Sequence, residues 1–89
     1  MARLEFAAHD MIEGVAPADT PDALFELGLV YSTGRDVEPD LVQAHKWFNL
    51  AALRGSEDGR RNRAELASEM SKADVREAQK MARAWLQLQ

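Results

Sequence analysis

ALFELGLVYSTGRDVEPDLVQAHKWFNLAALRG, residues 23–55, spells out two helices and the joint between them. Just upstream, Thr20 is placed to cap the first helix, with Pro21 at its first position and Asp22 beside the positive end of its dipole. That helix is predicted to stop near Gly34. A second is predicted from Asp40, whose carboxylate can accept from free backbone N–H groups while Gln43, three residues on, reaches back as in a capping box. It is predicted to close at Gly55, with Arg54 beside its negative end. So short a joint folds the second helix back along the first as an antiparallel pair.

Small residues inside the pair set how closely the helices approach. Gly28 falls in mid-helix, where glycine costs about 1 kcal/mol relative to alanine, so a packing reason is expected for it. Ala44, Ala51 and Ala52 on the second helix offer a flat surface for that approach, and Leu24, Leu27, Tyr31, Leu41, Trp47 and Phe48 are expected to fill the rest of the seam.

Taken as a pattern, Ala23-x-x-x-Leu27-Gly28-x-x-Tyr31-x-x-Gly34-x-x-Val37-x-x-Asp40-x-x-x-Ala44-x-x-Trp47-x-x-x-Ala51-Ala52-x-x-Gly55 resembles the Sel-one-like repeat, a relative of the tetratricopeptide repeat. Many positions fall in register across 33 residues, a little over a third of the chain. The resemblance implies helix pairs stacked into a curved solenoid that binds other proteins. Asp36 departs from the pattern, standing where the family usually has a second glycine, and a less sharply bent joint is expected there.

Beyond Gly55 the pattern weakens: Gly59 stands where Ala23 stood, Arg63 for Leu27, Ala64 for Gly28 and Ala67 for Tyr31. Ser56 can cap a third helix running to about Met70, and Ser71, with Asp74 three residues on, a fourth. Val75, Ala78, Met81, Ala82, Trp85 and Leu86 make a helical stripe to the C-terminus. Upstream, Leu4, Ala7, Ala8, Met11, Ile12 and Val15 recur at helical spacing, and Gly14 to Asp19 reads as a connection. The fold class expected is therefore all-α, a short α/α solenoid of about five helices. Residues 1–19 would form an N-terminal amphipathic helix and linker, and residues 20–89 a repeat domain, with a clear repeat at 20–55 and a degenerate capping pair at 56–89. The N-terminal stripe would cover the open end of the first repeat helix, or dock into a partner or a second copy.

Composition narrows the function classes. The chain of 89 residues carries 15 acidic and 11 basic residues, a net charge of −4, which argues against a generic binder of nucleic acid or anionic membrane. It has no cysteine, which removes thiolate metal sites and cysteine nucleophiles. Neither a secretory signal nor a membrane span is read, and a cytoplasmic location is expected. His9, Asp10 and Glu13 lack the further ligands that a stable metal site needs, and neither they nor His45 sits in a recognisable catalytic motif. No cofactor, metal or catalytic residue is expected.

Two surfaces are candidates for a protein partner. Asp22, Glu26, Leu29 and Thr33 share a ridge predicted to turn away from the helix seam, although the same spacing suits a solvated face with one exposed leucine. On that reading Leu29→Glu would spare the fold. Arg54, Arg60, Arg61 and Arg63 gather around the start of the third helix, where they could meet an acidic protein or, less readily, a phosphate backbone. Glu57, Asp58 and Glu65 interleave with them, so a salt-bridged helix in which Arg61 pairs with Glu57 or Glu65 is the alternative. The function expected is a non-catalytic adaptor or scaffold, with a self-assembling structural subunit as the second reading.

Overall fold

The computed structural model describes residues 20–89; the expected N-terminal helix and the His9, Asp10 and Glu13 group lie outside them. Among the described residues there are four helices and no strand: α1 Pro21–Thr33, α2 Leu41–Leu53, α3 Glu57–Ala67 and α4 Lys72–Gln87. The described residues are all-α, as expected.

The helix ends follow the sequence signals. Thr20 Oγ1 accepts from the Ala23 amide at 3.2 Å, Asp40 Oδ1 from Gln43 at 3.0 Å, Ser56 Oγ from Gly59 at 2.8 Å and Ser71 Oγ from Asp74 at 3.0 Å. Each side-chain oxygen satisfies one of the free N–H groups that open a helix. Asp40 differs from the expected capping box in one respect: its own amide donates to the Tyr31 carbonyl at 2.9 Å, so α1 supplies the acceptor expected from Gln43. That bond ties the start of α2 to the end of α1. The third helix also stops earlier than expected, with residues 68–70 continuing as a tight turn in which Glu69 donates to the Leu66 carbonyl at 2.9 Å.

Two residues of the joint take left-handed backbone conformations. Gly34 has φ 75° and donates to the Val30 carbonyl at 3.0 Å, closing α1 in the left-handed cap conformation. Asp36 has φ 64°, the left-handed region that short polar side chains tolerate better than other residues. Aspartate thus adopts the backbone conformation that the second glycine of the pattern would favour.

Two clusters make the core. Leu24, Leu50, Ala51 and Ala82 are buried together, flanked by Phe25, Trp47, Trp85 and Leu86. Ala44, Phe48 and Leu66 form the other, flanked by Phe25, Leu29, Tyr31 and Met70. The close approach at Gly28 is present, but its partner is the Phe48 ring and not the alanine surface expected: a Cβ at position 28 would meet Phe48 Cδ1 at 2.4 Å. Trp47 reaches beyond the expected seam to Trp85 of α4, edge to face with ring centroids 5.8 Å apart. Leu41, also expected in the seam, is exposed at the first position of α2, whereas Leu50 is wholly buried. The helices therefore wrap around α2, with α1 and α3 against it and α4 returning its Ala78–Ala82–Trp85 stripe to it.

Candidate functional site

The faces of α1 decide which side chains are left for a partner. Phe25, Leu29 and Ser32 recur at i, i+4 and i+7 and share one stripe, which turns toward α3. Phe25 and Leu29 pack against the Phe48 cluster, with the Phe25 and Phe48 ring centroids 5.6 Å apart. Leu29 is half-buried there, so it leaves the expected ridge, while Asp22, Glu26 and Thr33 stay exposed. The rest of the helix faces as expected, with Leu24 and Gly28 buried in the seam. The exposed members are not all idle: Glu26 Oε1 accepts from Arg35 Nη2 at 3.2 Å, and the Thr33 hydroxyl donates to the Leu29 carbonyl at 2.7 Å.

The arginines around the start of α3 divide in the same way. Arg60 pairs with Glu57 at 2.5 Å, and Arg61 pairs with Asp58. The expected partners of Arg61, Glu57 and Glu65, are replaced by the residue one turn back at i−3. The Arg60 guanidinium holds the exposed Glu57 carboxyl below its ordinary range. Arg54 is exposed at the end of α2. Arg63 lies on the inner side of α3, where its Nη1 donates to Asn49 Oδ1 of α2 at 2.6 Å. Three of the four guanidinium groups are thus engaged within the chain, and the structure does not bring them together with the α1 ridge into one site.

Beside Arg63 sits the buried histidine. His45 is 2% exposed, and its Nδ1 has no hydrogen-bond partner among the described residues. Burial, and then the nearby Arg63 charge, push its pKa below the ordinary 6.5, so the imidazole is neutral at pH 7. Trp47 Nε1 is likewise buried without a partner among the described residues, and Lys46 Nζ stands 4.2 Å over the Trp47 ring, with its pKa lowered by burial.

Between α1 and α3 opens a shallow cleft of about 170 Å³, lined by Ser32, Phe48, Asn62, Glu65, Leu66 and Glu69. Ser32, Asn62 and Glu69 were not among the residues expected to matter. Their signal was present: Asn62, Glu65, Leu66 and Glu69 recur at three- and four-residue steps, the spacing of one helix face, and Ser32 continues the Phe25–Leu29 stripe. Among the described residues no three His, Asp or Glu side chains gather as a metal site would need, and no described helix is long and apolar enough to cross a membrane.

Neither a curated protein nor a solved structure gives a significant match to the chain. Residues 21–56 match the Sel1 repeat family. These residues are α1, the bent joint, α2 and the Ser56 cap that starts α3. Sel1 repeats are helical and generally mediate protein–protein interaction without catalysis. Residues 21–56 thus carry a Sel1-like repeat, about two fifths of the chain.

Proposed function

We propose that this protein is a non-catalytic interaction module, an adaptor or scaffold that acts in the cytoplasm and presents its helices to a protein partner. The match of residues 21–56 to the Sel1 repeat carries the reading. Rigidity supports it: capped helix ends and the Gly28–Phe48 contact order the surface on folding, so a partner meets groups already in place. The candidate contact residues are Asp22, Glu26 and Thr33 on α1, with Leu29 behind them, and Arg54, Arg60, Arg61 and Arg63 around the start of α3. The ion pairs of Arg60 and Arg61 with Glu57 and Asp58 favour a protein surface over a phosphate backbone, because the neighbouring carboxylates cancel most of the field that would draw phosphate.

Affinity capture from host lysate tests the reading. The wild type is compared with an Asp22→Ala/Glu26→Ala variant and with an Arg60→Ala/Arg61→Ala/Arg63→Ala variant. A protein retained by the wild type and lost by one variant supports the module and says which face holds it. A wild type that retains nothing, or only itself in a dilution series followed by light scattering, contradicts it and favours self-assembly.

A further inference from the structure

We propose that the cleft between α1 and α3 receives a cationic side chain, arginine or lysine, from a segment of the protein partner. The proposal rests on the interaction reading above and adds the chemistry of the ligand. A volume of about 170 Å³ corresponds to roughly six waters at about 30 Å³ each, below the 300 Å³ or so at which small-molecule sites begin. It suits one long side chain rather than a cofactor.

The lining selects the charge. Phe48 and Leu66 offer apolar surface for a methylene stem, and Glu65 near the end of α3 and Glu69 in the turn that follows it supply two carboxylates four residues apart. Among the described residues no ion pair engages either glutamate, and no basic side chain lines the cleft. Two like charges at i and i+4 oppose each other, and a cation held between them removes that repulsion. The two helices add to the same sign: α1 ends at Thr33 and α3 at Ala67, so Ser32 and Leu66 lie in their last turns, beside the negative ends of both dipoles. The Ser32 hydroxyl donates to the Leu29 carbonyl at 3.2 Å, which leaves its oxygen lone pairs, with the Asn62 side-chain oxygen, to accept from an ammonium or guanidinium group.

The test is a titration of the full chain, followed by two-dimensional amide NMR, with N-acetyl-argininamide, N-acetyl-lysinamide and the uncharged N-acetyl-norleucinamide. The cationic amides are expected to give saturable shifts at Ser32, Asn62, Glu65, Leu66 and Glu69, weakening with added salt, and the norleucine amide none. The larger response of the two identifies arginine or lysine as the ligand. Glu65→Gln/Glu69→Gln is expected to weaken binding about tenfold, and Glu69→Gln alone about threefold. Both glutamates are exposed, so the variants keep the wild-type spectrum. Equal shifts with the norleucine amide, undiminished binding by the double variant, or shifts confined to other amides would overturn the proposal. So would concentration-dependent shifts at these amides without ligand, which would place a second copy in the cleft. Lysate capture with the double variant separates this proposal from the one it rests on. A partner held equally by wild type and variant overturns the cleft and leaves the module standing; cationic amides bound in the cleft with no protein captured overturn the module.

Discussion

The Cβ that Gly28 lacks would stand 2.4 Å from Cδ1 of Phe48 and 2.4 Å from Cε1, so the ring occupies the space a side chain would need. Phe48 is itself buried, packed in one cluster with Ala44 and Leu66. The α1–α2 pair is thus held at its separation by one missing methyl group.

Gly28→Val is accordingly expected to lower stability by about 1–3 kcal/mol through overpacking, despite the better helix propensity of valine. Gly28→Ala should fall between valine and wild type, because about 1 kcal/mol of helix propensity offsets part of the strain. Urea denaturation followed by circular dichroism measures both; an unchanged midpoint for Gly28→Val would remove the close-approach account.

At Asp36, φ 64° makes the residue type matter while its exposure makes contacts irrelevant. Asp36→Gly and Asp36→Val are expected to differ by about 1–2 kcal/mol in favour of glycine, since a β-branched residue is strained in the left-handed region. Equal midpoints in urea would show that the joint relaxes to another conformation.

Leu29→Glu is expected to destabilise the fold by about 1–2 kcal/mol, because the half-buried leucine packs beside Phe48 and Leu66. Asp22→Ala, on an exposed position of the same helix, should change stability by less than about 0.5 kcal/mol. Similar melting curves for the two variants would return Leu29 to the outward ridge.

The contrast between Leu29 and Thr20 shows what was legible in the sequence. Thr20, Asp40, Ser56 and Ser71 act on amides three residues away, so local spacing sufficed to place the helix starts. The repeat pattern likewise told that α1 and α2 pair. Which way Leu29 and Trp47 point depends on helices that arrive later in the chain, and α1 is apolar on so many sides that periodicity could not select the core face. The cleft needed α1 and α3 together, and no single window contained Ser32 and Glu69. The arginine pairs were legible as a salt-bridged helix but not in register, because i+3 and i+4 partners compete on one surface.

His45 makes stability depend on pH. Its pKa in the folded chain is lowered below 6.5, the value expected when unfolded, so between those two values the unfolded state binds a proton that the fold refuses. The contribution is fully present above pH 6.5 and declines as the pH falls through that window to the folded value. His45→Leu should flatten this part of the profile, measured as urea midpoints between pH 7 and pH 5. A slope identical to wild type would place the dependence elsewhere.

Lysate capture with variants on opposite sides of the protein tests the central claim most directly. Wild type is compared with Asp22→Ala/Glu26→Ala on α1, with Arg60→Ala/Arg61→Ala/Arg63→Ala on α3, and with Arg76→Ala/Lys80→Ala on the exposed side of α4, each first shown to melt cooperatively. The account predicts a protein retained by the wild type and by the α4 variant but lost by the α1 or the α3 variant. Capture that is absent in the wild type, or abolished only by the α4 variant, would contradict it.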